Sequence, residues 1–482
     1  MTTRDRTFWM LGVLVAGALA ASQALIAYRT DPVIAAGVPV GLGVLAAIAY
    51  RPIMGVCLGL LTIPVSDFSV TVANTHFSIA EGIFIVTAVA AVARLIATGE
   101  GIRRPHPAHI AFLFFIGWAA LGMVFAEDTF TVEKILVFWL VFAVISMLVA
   151  SAPPRHVEYV LLCIALSGGI VGVIAIASGG PQELQSGGQI AQGRAQGSFA
   201  HPNVFAFYLI LSLAPSIALA GRGPQWRRLL MLACAGAILA GLLLTLARGG
   251  IIGGAVSLLV LLAWAPFRRV AFTLLIVLAI FAAFNFNSLQ NAQEVKIVSQ
   301  RLSTLSNQQG VRENPRVRIW SKTFPMIANH PWVGVGEGNY PIWSPRYGLL
   351  DIGGLHYDHA HDLLLTIAAE TGLIGLALFL AFMWGVVRAA ASALRARRRE
   401  TFALAVAMTA ALLGLLVTSF GEYPPRTTVI LATIMLEVGG LIACDRWARE
   451  HPEQEPPPER AALGRNGRRA LPGSAPVPER SG

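Results

Sequence analysis

Apolar runs of about 18 to 22 residues recur from Phe8 to Cys444, each long enough to cross a hydrocarbon layer of about 30 Å as a helix. Barrel strands would be about half that length and would alternate every second residue. The pattern predicts spans at 8–27, 33–50, 53–66, 81–98, 108–126, 131–150, 157–177, 203–220, 227–246, 250–266, 269–286, 363–388, 402–420 and 427–445. The expected fold is therefore all-α and polytopic, with about 12–14 transmembrane helices. The first run lacks a small-residue cleavage site and reads as a retained span. The longest stretch unsuited to lipid is the polar segment 287–362, which divides the chain into spans 1–286, a large loop, C-terminal spans 363–445 and a tail 446–482.

Charge fixes the expected orientation. With the N-terminus inside, Arg4, Arg6, Arg51, Arg103, Arg104, Arg155, Arg222, Arg227, Arg228, Arg268, Arg269, Arg388, Arg395, Arg397, Arg398 and Arg399 all fall on the cytoplasmic side. Among the short outer connections only Arg29 and Arg426 stand out, the bias that the positive-inside rule demands. Both termini are then cytoplasmic. The large loop and a smaller one at 178–202 are extracytoplasmic, and the Pro-rich tail is expected to be disordered.

Composition agrees: of 482 residues, 55% are hydrophobic and 13% charged, against about 25% charged in soluble domains, and mean hydropathy is +0.66. The net charge of +10 would suggest nucleic acid in a soluble protein. Here it reads as a topology signal facing anionic lipid headgroups, so membrane lipids and not nucleic acid are the expected partners. Cys57, Cys163, Cys234 and Cys444 all lie in apolar runs, which argues against a disulfide framework or a cysteine zinc site. No internal repeat and no matching pair of broken helices is visible, which weighs against a secondary transporter.

Polar residues able to do chemistry cluster on the outer side. GRAQGSFAHPN carries Arg194, His201 and Asn203; TLARGG carries Arg248; and the large loop carries Arg301, Arg312, Arg316, Arg318, His330, His356, Asp358, His359, His361 and Asp362. A single outer arginine is well explained by snorkelling or helix capping. Several converging arginines suit a doubly charged phosphate group, because each guanidinium stays charged and presents a planar fork of donors. Arg248, followed by Gly249 and Gly250, stands at a helix end that a bulky headgroup can approach closely.

HYDHAHDLLLTIAAETG leaves three readings open. A histidine can be neutral near pH 7 and accept a proton from an attacking hydroxyl. Alternatively, His356, Asp358, His359, His361 and Asp362 hold a metal, or the loop is purely structural. Asp362 suits the first turn of the following helix, and Thr371 with Gly372 marks a break at the membrane surface. GVGEGN, Gly334 to Asn339, is a turn, since no strand–helix–strand surrounds it. Trp320, Trp332, Tyr340, Trp343, Tyr347 and Tyr357 suit the membrane interface or, second, sugar stacking.

The combination GSFAHPN, LARGGIIGG, RVRIW, NHPWVGVGEGNY and HAHDLLLTIAAETGLIG resembles the O-antigen ligase and polymerase superfamily. Its members are polytopic GT-C-type glycosyltransferases acting on undecaprenyl-diphosphate-linked glycans at the outer face of the bacterial inner membrane. The resemblance implies that Arg248 and Arg316, with Arg194 and Arg318 as further members, grip the donor diphosphate. It implies that His361, with His359 beside it, activates the acceptor hydroxyl, and that neither metal nor cofactor is needed. Asp362 departs from the Asn or Ser of many relatives. The implied acceptor is a glycan, a lipid A core or a protein. One base and no enzyme nucleophile means inverting transfer. Two rivals remain: a glycan or lipid transporter, with cations strung along a path, and a non-catalytic scaffold of an envelope polysaccharide assembly.

Overall fold

The computed structural model describes residues 32–65, 69–72, 75–178, 194–245, 247–264, 267–274, 276, 315–349, 357–396 and 401–451. Among the described residues, thirteen longer helices run in the order α1 Pro32–Tyr50, α2 Pro52–Leu61, α3 Ile79–Thr98, α4 Pro107–Gly122, α5 Thr129–Ala150, α6 Pro154–Ala177, α7 Pro202–Ala220, α8 Gln225–Leu244, α9 Arg248–Leu262, α10 Pro315–Asn329, α11 Leu363–Ala396, α12 Phe402–Thr418 and α13 Thr428–Glu450. Eight are long and apolar enough to cross a membrane, and four shorter apolar helices accompany them. The protein is an all-α polytopic membrane protein. The expected spans at 8–27 and most of 269–286 lie outside the described residues, as do Arg29, Arg301, Arg312, His356 and the tail beyond 451. One element was not anticipated: an antiparallel ribbon of β1 Ser69–Val72 and β2 Thr75–Ser78, pairing Ser69 with Ser78 and Val72 with Thr75.

The helix ends follow from local chemistry. Ser78 and Glu81 form a reciprocal capping box at the start of α3, and Gly99 closes that helix at φ 71°. Asp128 caps α5 by accepting from the Thr131 amide, and His201 caps α7 ahead of Pro202 at the first helical position.

Burial separates inner from outer helices. In α7 and α13, 89% of the apolar window is buried, against 28% in α3. Two central helices thus sit inside a ring whose outward faces are left for lipid. Small residues allow close approach: a Cβ at Gly172 of α6 would lie 2.5 Å from the Ala237 carbonyl oxygen on α8.

The arginines of the short connections gather at one end. Arg222 and Arg227 clasp Glu158 at 3.1 and 2.7 Å, Arg103 pairs with Glu450, and Arg446 donates to the carbonyls of Ala150 and Arg104. The polar segment packs at the opposite end. There, α10 and the turns after it form a small lobe with its own core of Ile319, Met326, Val335, Tyr340, Leu349 and Ala360. Asn339 Oδ1 accepts the amides of Glu127 and Asp128 at 3.1 and 2.9 Å, tying the lobe to the start of α5.

A break in α11 seats the lobe. Gly372 has φ 69° and ψ −177° inside an otherwise helical run. The freed groups are satisfied from the stretch Pro331–Gly336: Val335 N–H donates to Ala369 O and Gly336 N–H to Glu370 O, both at 2.9 Å, and Leu373 N–H donates to Pro331 O at 2.7 Å. A Cβ at Gly372 would lie 2.2 Å from the Trp332 carbonyl oxygen. The aromatic residues of the lobe act differently from expectation. Tyr340 is fully buried and shares a 2.7 Å hydrogen bond with Thr323 Oγ1; Trp320 donates to Ala360 O at 3.0 Å. These two pack the lobe instead of lining the membrane interface, whereas Trp332 is 65% exposed.

Candidate active site

The two histidines lie on the short loop entering α11, which is anchored on every side. Asp362 Oδ1 accepts the Leu365 amide at 2.9 Å, capping the helix. Leu363 N–H donates to Ser419 O at 2.9 Å, the Ala360 amide donates to Thr366 Oγ1 at 3.2 Å, and Arg426 donates to Asp358 O. His361 is held at φ 51°, the one positive φ of a non-glycine among the described residues. Such a conformation costs free energy and persists only where its surroundings dictate it. Asp362 is thereby a cap, and Arg426, one of the two arginines that stood apart from the charge bias, is a clamp on the histidine loop.

Glu422, in the connection from α12 to α13, gathers the charged groups. Its Oε2 faces His361 Nδ1 at 3.1 Å and His359 Nε2 at 3.6 Å. Its Oε1 accepts from Asn203 Nδ2 at 2.8 Å and from an Arg316 terminal nitrogen at 3.1 Å. Behind Asn203, Arg194 donates to Asn203 Oδ1 at 2.7 Å and to the Thr245 carbonyl at 2.8 Å. The Asn203 amide donates in turn to His201 Nδ1 at 3.1 Å. Gly421 leaves room for Arg316, since a Cβ there would meet its guanidinium at 3.0 Å.

Electrostatics follow from this packing. Burial pushes the Glu422 carboxyl upward, but hydrogen bonds from His359 and His361 and the charge of Arg316 outweigh it and hold the group well below the usual carboxylate range. Burial lowers His359, against the opposing pull of Glu422, so its neutral imidazole is favoured. His201 is also lowered, by burial and by Arg194. Behind the site lies a second acidic group: Glu337 is raised well above the ordinary value by burial and by the neighbouring Glu370 carboxyl, and the Tyr423 hydroxyl donates to its Oε1 at 3.5 Å.

Of the residues expected to act together, the structure joins Arg316, His359 and His361 through one carboxylate, with Arg194 linked to it through Asn203. Arg248 is the exposed first residue of α9. It lies three positions beyond the carbonyl that Arg194 grips, and Gly249 next to it faces Thr418. Arg318 is turned away, donating to Gly348 O at 3.4 Å, because two helical positions separate it from Arg316 by about 200° around the axis. Of the metal set expected on the histidine loop, His356 lies outside the described residues, Asp362 caps a helix, and Asp358 lies near Arg426 at 3.9 Å. His359 and His361 instead converge with Glu422, their ligand atoms all within 4.8 Å of one another. Glu422 itself escaped the sequence reading, as a lone acid in a short connection.

Ser419 and Tyr423 on this connection help to line an apolar cavity of about 170 Å³ that opens among Phe112, Trp139, Ile367 and Phe382. The fold and site define a multi-pass membrane protein with a charged centre beside an apolar cavity. Residues 229–380 match the O-antigen ligase family. Over that segment the chain is similar to the O-antigen ligase family, a likeness that supports a membrane glycan-processing enzyme. No curated protein matches the sequence. One chain of a solved structure described as "Structural coordination of polymerization and crosslinking by a peptidoglycan synthase complex" is similar over 71% of this chain and 98% of its own. Its identity is 14% and its TM-score 0.39, too distant to carry an argument.

Proposed function

We propose that the protein transfers a glycan from undecaprenyl diphosphate to an acceptor hydroxyl, with inversion, at the extracytoplasmic face of a bacterial inner membrane. The acceptor is a glycan, a lipid A core or a protein. The observation that carries the reading is the shared carboxylate: Glu422 holds His361 through one oxygen and Arg316 through the other.

That arrangement fits the chemistry step by step. Accepting the Nδ1 proton, Glu422 fixes the tautomer of His361 whose Nε2 carries a lone pair, the pairing that suits an imidazole general base. The acceptor hydroxyl gives its proton to Nε2 while its oxygen attacks the anomeric carbon. The bond to the diphosphate oxygen breaks, and charge develops on the leaving group. In this reading Arg316, 47% exposed in its side chain, neutralises it together with Arg248 at the start of α9. Arg194 is more deeply committed, to Asn203 and Thr245, and its role here is to brace the carboxylate. His359, facing the same oxygen, keeps Glu422 ionised. The apolar cavity supplies a place for the isoprenoid chain beside the diphosphate site, as the donor requires. For a transporter the cations would be spread along a path through the bilayer; here Arg316 and His361 touch one side chain.

The test is transfer of a lipid-linked glycan by purified wild type, His361→Ala and Arg316→Ala in nanodiscs. The account expects His361→Ala to lose turnover and Arg316→Ala to weaken use of the donor. Full glycan output from His361→Ala would favour the scaffold.

A further inference from the structure

The convergence of His359, His361 and Glu422 has a second chemical meaning. We propose that these three side chains form a binding site for a divalent transition cation of the zinc type, and that occupation of this site switches the enzyme off.

The geometry is that of a three-ligand zinc site. Zinc bonds of about 2.0–2.2 Å to nitrogen and oxygen in a tetrahedron require ligand atoms about 3.4 Å apart. His361 Nδ1 and His359 Nε2 lie 3.1 and 3.6 Å from Glu422 Oε2, and all three atoms fall within 4.8 Å. A small adjustment of the rings is enough to centre an ion between them. Glu422 is held for monodentate ligation, because its other oxygen is occupied by Asn203 and Arg316; outer partners of this kind orient carboxylate ligands. Two imidazoles and one carboxylate leave a fourth position open and select zinc, copper or nickel over magnesium and calcium, which prefer all-oxygen sites. The nearby Arg316 guanidinium opposes a second cation, so the binding is reversible and not that of a permanent structural ion.

The inhibitory effect rests on the reading of His361 as the base. In the metal-free site Nδ1 carries the proton that Glu422 accepts and Nε2 keeps its lone pair. A cation binds Nδ1 only through a lone pair there, so the ring proton moves from Nδ1 to Nε2, and no net proton need be released. An Nε2–H cannot accept a proton from a hydroxyl. The cation also draws Glu422 away from its imidazole partners and places positive charge where the acceptor must approach.

Binding is tested first, on full-length protein in nanodiscs with its purification tag removed. Zinc chloride is titrated calorimetrically, and cobalt chloride serves as a spectroscopic substitute, for wild type, His359→Gln, Glu422→Gln and the distant His451→Ala. Thermal unfolding of each variant without metal controls for folding. One equivalent is expected in wild type and in His451→Ala, with affinity reduced roughly a hundredfold or more in the other two, and with the intense visible bands of four-coordinate cobalt. Absence of binding, or unchanged affinity in both His359→Gln and Glu422→Gln, overturns the site. Transfer assays then read inhibition: zinc should stop turnover at the concentrations that fill the site, EDTA should restore it, and magnesium should have no effect. Stoichiometric binding with unimpaired transfer overturns the switch. Failure of the catalytic reading is distinguishable, because it appears as transfer by His361→Ala in metal-free buffer.

Discussion

Glu422→Gln is the perturbation that separates a carboxylate organising catalysis from one that merely fills space. The amide is isosteric and can still bond to Asn203, but it carries no charge. The wild-type side chain is 12% exposed and meets Asn203 at 2.8 Å and His361 at 3.1 Å. Hydrogen bonds to charged groups contribute about 1.5–3 kcal/mol each. The Arg316 contact adds little, because that guanidinium is 47% exposed and solvent screens it. The expected loss of stability is therefore about 3 kcal/mol. Turnover should fall further, by about 10³- to 10⁴-fold, because an amide can present its NH₂ to His361 and favour the tautomer without a free Nε2 lone pair. The assay is kcat and donor KM for a lipid-linked glycan in nanodiscs, beside a thermal melt. A kcat within threefold of wild type in folded protein refutes the role assigned to Glu422. A rise confined to donor KM would mean that the carboxylate serves Arg316 alone.

Further outcomes follow from the same geometry. Arg316→Ala should raise donor KM by about 10- to 100-fold, on the order of the 1.5–3 kcal/mol of a charge-assisted contact, whereas Arg318→Ala, directed at Gly348, should stay within about threefold in a parallel assay. Glu337 has a folded-state pKa above its unfolded value of 4.5, so the native state holds the extra proton and stability falls as pH rises above that value. The slope should not exceed about 1.4 kcal/mol per pH unit, and chemical denaturation across pH should show it flattened in Glu337→Gln. Gly372→Ala should cost more than about 3 kcal/mol, since it combines a positive φ with a clash on the Trp332 carbonyl; unchanged thermal stability would show that the break in α11 relaxes easily.

Much of the fold was legible because a membrane forces long apolar runs into helices, and the described longer helices other than α10 fall on the runs. The Thr371–Gly372 break and the Asp362 cap were readable for local reasons: one needs a positive φ, the other an acceptor at a helix start. The ribbon at Ser69–Ser78 was overlooked although SVTV alternates with β-branched residues, since it is short beside the neighbouring spans. Misplacing Arg318 came from treating sequence adjacency as spatial adjacency, when helical periodicity separates it from Arg316. Glu422 was hidden for a deeper reason. Its partners Asn203, Arg316 and His361 are brought to it by packing of α7, α10, α11 and α12, and nothing in GEYPPR signals those contacts. Tyr340 and Trp320 likewise became core residues only because the lobe folds back on the break in α11.

The central claim is that His361 removes the acceptor proton while cations hold the departing diphosphate. Its most direct test is the single-turnover rate of His361→Ala with saturating, independently measured donor binding. The account predicts a rate lower by about 10²- to 10⁴-fold with donor affinity preserved. A rate within threefold of wild type, with the donor bound equally well, would contradict it.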